Sequence, residues 1–420
     1  MEMKTIDLIN GSRLAVVNIP QSLVVTTMAL VKAGPRYDPL DKTGLSHFTE
    51  HILLKGSKKW PTRFEMTSAL EKRGASDYSF TYYEANTYWA KSVVSDLDLA
   101  IESIVDRLEN PLLKEEDIET EKGVVREERQ ILDSNPDKLI WELWSETIWR
   151  GTSLGRYYIG GIDEINSFTQ KDVSLFKDKF YLPQRTIYTV CGNVEPERTV
   201  TIFNKFLKKN KELRRITLEK DRLSLISAKK NIKLIKKKTE NVNIAIGFPT
   251  IPFGHEDGFV LDLVASLLAG GMSSRLRQKI MEAGLTYAVN AYTQYLSDTG
   301  YLVVILTTGK QNLNSVLGII KSEFSDLSNN LMNDGELDIA KGYLIGNLSV
   351  NMETTYDWAK WYAGQLLYTP LDIKSPEMEV EKILQINPST VQKAAKKYLN
   401  PGNIYLSAIG DIQEKEIKMH

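Results

Sequence analysis

The chain has 420 residues, 53 basic and 54 acidic, for a net charge of −1. That balance argues against a nucleic-acid footprint or an anionic membrane partner, and no apolar run reaches the ~18 residues needed to insert across a bilayer. The length suits two or more domains, and 42% apolar residues supply sizeable cores.

The N-terminus, MEMKTIDLINGSRLAVV, has neither a basic-then-apolar signal nor an Arg/Ser-rich transit segment, so the expected location is cytoplasmic. Asn10-Gly11 marks a hairpin turn between KTIDLI and RLAVVNI. Helical periodicity then covers about 41–54, 62–73 with Thr62 as its cap, 95–109, 115–132 and 138–149. Between the second and third of these, SDYSFTYYEANTYWAKSVV is rich in aromatics and Thr, the signature of a strand hairpin. The single cysteine, Cys191, excludes an intrachain disulfide and fits a reducing compartment. In the strand-like run TIYTVCGNV it reads as a small core residue. A basic connector low in aromatics, 206–241, follows.

Segments on either side of that connector repeat. KFYLPQRTIYTVCGNVEPER (179–198) returns as KYLNPGNIYLSAIGDIQEKE (397–416), with Tyr181 matched to Tyr398 and Gly192 to Gly410. LVVTTMALVKAG (23–34) returns as ENVNIAIGFPTI (240–251). The chain therefore reads as two homologous α+β domains of about two hundred residues each. They are an N-terminal domain at 1–208, a linker at 209–231 and a C-terminal domain at 232–420. Strands pooled with helices on one side point to α/β layers rather than a doubly wound sheet.

The stretch GLSHFTEHILLKG (44–56) holds two of the four histidines. On a helix, His47, Glu50 and His51 stand at i, i+3 and i+4 and share one face. Imidazoles one turn apart can reach a single zinc ion, and a carboxylate inside the same turn can reach a water on it. Catalytic zinc takes three protein ligands, so a third must come from elsewhere. The helix at 115–132 has an apolar stripe of Ile118, Val124, Val125, Ile131 and Leu132. Glu121 and Glu128 fall near the centre of that stripe, and Glu127 near its edge. Carboxylates on a core-facing stripe are costly unless paired or metal-bound. That makes Glu128 the candidate third ligand and Glu121, two turns earlier, its supporting partner. A structural zinc site would want four ligands rich in cysteine, which one Cys cannot supply. His255, in PFGHEDG, reads as a loop or cap residue, and His420 is terminal, so the second unit has no zinc site of its own.

An inverted His-x-x-Glu-His motif followed some eighty residues later by Glu-x6-Glu resembles the inverzincin zinc metallopeptidases, the family of pitrilysin, insulin-degrading enzyme and mitochondrial processing peptidase. The likeness is strongest to their short, single-half members. It implies that His47, His51 and Glu128 bind one Zn2+ per chain, with Glu50 as general base and Glu121 in support. It implies a zinc endopeptidase whose two domains form one half of a clamshell. A second chain, identical or paralogous, would supply the other half and enclose a chamber for peptides or unfolded segments. It also implies that substrate adds a strand along 74–88. There Tyr78 and Ser79, followed by Phe80, stand where the family has Asn-Ala. In the second unit, GGMSSRLRQKIMEAGLTYAV resembles the segment carrying a substrate-holding Arg-x6-Tyr pair. Tyr287 is present, but Ile280 takes the arginine's place, leaving Arg275 or Arg277 as substitutes, although both read as helix-surface residues. The rival expectation is a catalytically silent or partner-dependent scaffold or processing subunit. Such chains typically lose a motif residue, whereas all five remain here.

Overall fold

A computed structural model describes residues 2–209 and 231–418. In chain order the first half runs β1 (Glu2–Asp7), β2 (Arg13–Asn18), β3 (Val24–Val31), α1 (Leu45–Leu53), α2 (Arg63–Glu71), β4 (Ser76–Thr81), β5 (Asn86–Val93), α3 (Leu97–Glu109), α4 (Glu115–Ser134), α5 (Pro136–Ile148), α6 (Ile162–Ser167), α7 (Gln170–Phe180), β6 (Thr186–Gly192) and α8 (Pro196–Phe206). The second half runs β7 (Ile232–Lys236), β8 (Asn241–Thr250), α9 (Gly258–Ala269), β9 (Thr286–Tyr295), β10 (Gly300–Gly309), α10 (Leu313–Asn329), α11 (Asp334–Val350), α12 (Thr355–Tyr368), α13 (Pro376–Leu384), α14 (Pro388–Tyr398) and β11 (Tyr405–Gly410). None of the described helices is long and apolar enough to cross a membrane.

Local chemistry sets these boundaries. Gly11, at φ 87°, turns the chain between β1 and β2, and its N–H donates to Leu8 O. Thr62 caps α2 through a reciprocal capping box with Glu65. Asn135 caps α5 two residues earlier than periodicity alone places it. The first helix starts at Leu45 rather than near 41, because Gly44 is left-handed at φ 90°.

The strands form two sheets, ordered β1-β2-β6-β3-β5-β4 and β7-β11-β8-β10-β9. Leaving out β1, the two orders correspond strand for strand. β6 lies parallel to β2 and antiparallel to β3, just as β11 lies parallel to β7 and antiparallel to β8. The repeated sequence segments fall on these matching strands. The duplication expected from the sequence is therefore a duplication of sheet topology, and it leaves β4 and β9 as equivalent edges.

The chain packs as two units made of interleaved segments. Among the described residues, one comprises 2–131, 156–209 and 352–373, and the other 132–155, 231–351 and 374–418. Each unit thus takes one helix from the opposite half of the sequence, which a cut at a single linker does not anticipate. In the first unit, α12 lies on β3 and β6. Thr26 and Thr355 hydroxyls meet at 2.8 Å, Thr189 Oγ1 donates to Ala359 O at 3.2 Å, and Ala359, Tyr362 and Ala363 pack with Val17, Met28 and Cys191. Cys191 is therefore a core residue, as read. In the second unit, α5 lies on β11 in the same way, with Ser407 Oγ 2.8 Å from Thr147 Oγ1 and 3.3 Å from Leu143 O. The expected connector at 209–231 falls almost wholly outside the described residues.

The second unit's core joins Leu261, Val264 and Leu268 of α9 to Ile244, Val304 and Leu406 of its sheet. α9 occupies the place in this repeat that α1 holds in the first, between the second and third matching strands in chain order. Its sequence, GFVLDLVASLLA, is apolar where α1 carries histidines. Its one carboxyl, Asp262, accepts from the Thr293 and Tyr295 hydroxyls, the latter at 2.8 Å.

Candidate metal centre

Three elements of the first unit converge on one cavity of about 480 Å³: α1, the edge strand β4 and α4. The start of α1 is pinned. Asp38 accepts from the Gly44 and Ser46 N–H groups at 2.7 and 2.8 Å, which satisfies two donors of the first turn. A Cβ on Gly44 would stand 2.1 Å from Ile159 O, and one on Gly160 2.3 Å from Thr43 O. The two backbones touch there, and glycine is what permits it. The contact carries Tyr158 to the cavity, where its ring meets His47 edge-on at 5.6 Å.

From that anchored start, His47, Glu50 and His51 each bring one donor atom within 4.8 Å of the others. Glu128 on α4 meets them from across the cavity. Its Oε2 lies 3.7 Å from His47 Nε2 and 3.5 Å from His51 Nε2. Four ligands about 2.1 Å from a tetrahedral zinc stand about 3.4 Å apart, so this spacing fits two imidazoles and one carboxylate on a single ion. Behind the cavity, His51 Nδ1 is 2.8 Å from Glu121 Oε1. The other oxygen of Glu121 is ion-paired with Lys55, one turn past His51 on the chain. A partner on Nδ1 directs the Nε2 lone pair toward the cavity.

The electrostatics point the same way. Burial, with His51 nearby, holds His47 well below the usual imidazole range, and so neutral as a ligand must be. Burial alone would lower His51, but Glu121, Glu50 and Glu128 outweigh it and raise its pKa. Burial would raise Glu121, but His51 and Lys55 outweigh it and lower its pKa. Burial raises Glu50 despite His51 and the hydroxyls of Ser79 and Thr81. Three carboxylates facing one lysine ammonium leave a deficit of positive charge that a divalent cation would neutralise.

The buried face of α4 differs from the expected stripe. Ile118, Val125 and Leu132 are buried, but Val124 and Ile131 are 45% and 59% exposed. Glu121 and Arg129 take the inner positions instead. Both have partners that offset burial: His51 and Lys55 for Glu121, and the Tyr157 ring, 4.9 Å from the Arg129 guanidinium. Glu128 is half-buried beside the cavity, whereas Glu127 is exposed.

On β4, Ser79 serves Glu50, while Tyr78 stacks on Trp89 at 4.8 Å and Phe80 meets Tyr82 edge-on. All three line the cavity. Tyr287 belongs to the second unit, 96% exposed on β9. Arg275 does not lie on a helix surface: it is ion-paired with Glu336, Asp326 and Glu323. Arg277 donates to Asn290 Oδ1 and Ala269 O, and Ile280 is core. His255 Nδ1 accepts from the Asp257 N–H within a turn. His420 lies outside the described residues. Lys55, Tyr158, Thr81, Asp77 and Arg107 were not singled out from the sequence. For Lys55 the available signal was its i+4 spacing from His51.

Comparisons with known proteins bear on the family and the fold. The insulinase family model (peptidase family M16) matches residues 13–161, and the model described as the peptidase M16 inactive domain matches 167–344. An uncharacterized zinc protease of Streptomyces coelicolor is 27% identical over 411 residues, covering 97% of this chain and 89% of that protein. The mitochondrial-processing peptidase subunit beta of Bos taurus is 24% identical over 419 residues, covering 96% and 84%. Among solved structures, a protease from Helicobacter pylori matches with a TM-score of 0.89 at 22% identity over 97% of this chain and 99% of that one. A peptidase M16 inactive domain from Pseudomonas fluorescens matches at 0.88, with 18% identity over 98% and 99%.

Proposed function

Since this chain belongs to the M16 (insulinase) peptidase family, we propose that it is a zinc-dependent endopeptidase hydrolysing peptides or extended polypeptide segments. The observation that carries the reading is the meeting of His47 Nε2, His51 Nε2 and Glu128 Oε2 beside the carboxyl of Glu50. In this reading His47, His51 and Glu128 hold the ion. Zinc bound there would bring the pKa of a water toward ~7 and polarise the scissile carbonyl.

The chain's own groups do the rest. Glu50 takes the proton of the attacking water and returns it to the leaving amine. Burial has raised its pKa, which brings it nearer the operating pH of a general base. Glu121 fixes the tautomer of His51, and Lys55 holds Glu121. The free edge of β4 takes the substrate as an added strand, with main-chain hydrogen bonds for affinity. A second chain, a copy or a paralogue, completes a chamber that admits extended segments. The apolar α9, standing where α1 stands in the first repeat, accounts for one zinc per chain.

The test is zinc quantitation and cleavage of internally quenched peptides by the purified chain, before and after chelation. Glu50→Gln should keep its zinc and lose turnover by roughly 10²–10⁴-fold. Turnover by Glu50→Gln at the wild-type rate would remove the mechanism.

A further inference from the structure

Arg107 on α3 is 1% exposed, yet it lines the cavity that holds Glu50. Its Nη2 is ion-paired with Asp77 on the edge strand β4 and lies 2.8 Å from Met66 Sδ. Its Nε and Nη1 have no hydrogen-bond partner among the described residues. A buried donor without an acceptor is costly, and more so on a charged group. Nothing in the zinc chemistry uses this guanidinium. The exposed Arg63 of α2 brings a second one to the same lining. Of the three acidic lining residues, Glu50 and Glu128 sit at the metal end, which leaves Asp77 alone against two arginines. Leu54, Met66 and Phe80 add apolar wall suited to methylene groups.

We propose that this cavity receives a substrate side chain ending in a carboxylate or carboxamide oxygen, from a residue flanking the scissile bond, with Arg107 as the specificity-determining group. The inference rests on the peptidase reading and deepens it. The incoming oxygen supplies the acceptor that the buried guanidinium lacks, while the stem lies along Leu54 and Met66. A substrate without that oxygen leaves the donors unpaired, which is how a polar site rejects an apolar analogue.

The experiment uses quenched peptides that differ only at one flanking position, carrying Glu, Gln, Leu or Lys there, with each flank scanned in turn. Cleavage is read as kcat/KM on the wild-type chain, and binding as Kd on Glu50→Gln. At one flank, Glu and Gln should exceed Leu by on the order of tenfold or more. A Glu advantage over Gln marks charge recognition, and parity marks recognition of the carbonyl oxygen. Arg107→Met should erase the preference for Glu and Gln over Leu. Because that change strands the Asp77 carboxylate and puts the fold at risk, Asp77→Asn forms a second arm. It frees the guanidinium from its counter-charge and should widen the ratio of Glu to Gln. Equal handling of Leu, or an Arg107→Met variant that loses all four peptides by the same factor, overturns the inference alone. A wild-type chain that neither binds nor cleaves any of these peptides removes the peptidase reading, and this inference with it.

Discussion

Lys55 and His51 hold opposite oxygens of one carboxylate, Glu121. The lysine neutralises a carboxylate only 2% exposed, and the histidine takes its orientation from it. Lys55→Met should leave the fold intact and weaken zinc binding by roughly 10–100-fold, the usual effect of losing an outer partner. Lys55→Arg should restore most of it. Adding Lys55→Met to Glu121→Gln should cost little more, because both changes break one chain of contacts. Competition with a chromogenic chelator measures this, and full additivity of the two changes would dissolve the link.

Glu128 and Glu127 are adjacent, but α4 turns only Glu128 toward the imidazoles. Glu128→Gln should release zinc under dialysis that leaves the wild type loaded. Glu127→Gln should behave as wild type. Metal content of the two variants decides it, and the reverse pattern would exchange their roles.

Gly44 is left-handed, with Ile159 O where a side chain would begin. Gly44→Ala must both strain the backbone and push the touching backbones away from each other, at a cost of about 2 kcal/mol or more. Because α1 starts there, its histidines should shift with it. Denaturant unfolding and zinc affinity should fall together. A variant with full zinc affinity and wild-type stability would mean that the loop yields freely.

Burial raises the pKa of Asp262 above the ordinary carboxyl value of 3.8, and the Thr293 and Tyr295 hydroxyls only partly oppose it. The folded state therefore holds this proton more tightly than the unfolded chain does. The stability it confers is full below 3.8 and is lost as pH climbs through the raised native value. Asp262→Asn should flatten that decline and be the more stable protein at neutral pH. Urea midpoints measured across the acid-to-neutral range test it, and parallel curves for the two proteins would refute it.

Much of the site was written in local spacing. His47, Glu50 and His51 share a helix face by arithmetic, Thr62 announces its cap, and the β4–β5 hairpin follows from its aromatics. The duplication was visible because strands that pair alike keep similar sequences. The inner face of α4 misled because hydrophobicity was taken to define it. Glu121 and Arg129 are inside because Lys55, His51 and Tyr157 meet them there, and no periodicity reports a partner on another element. Asp77 and Arg107 were hidden for the same reason. The traded helices had a faint signal: α5 carries Trp141 and Trp144, and α12 carries Trp358 and Trp361, each pair three residues apart.

That trade has a consequence for how such a chain must be made. A protein consisting of one repeat would leave one sheet face bare and one helix without a seat. Two copies that lent each other the helix would cure both defects at once, so the single-repeat product would be an obligate swapped dimer. The present chain has the form such a dimer takes when its two coding segments are joined end to end. Cutting it between 209 and 231 should therefore yield two fragments that aggregate when produced separately and reassemble when produced together. Solubility and co-purification of the fragments read this directly, and a fragment that folds alone would show that the borrowed helix is dispensable.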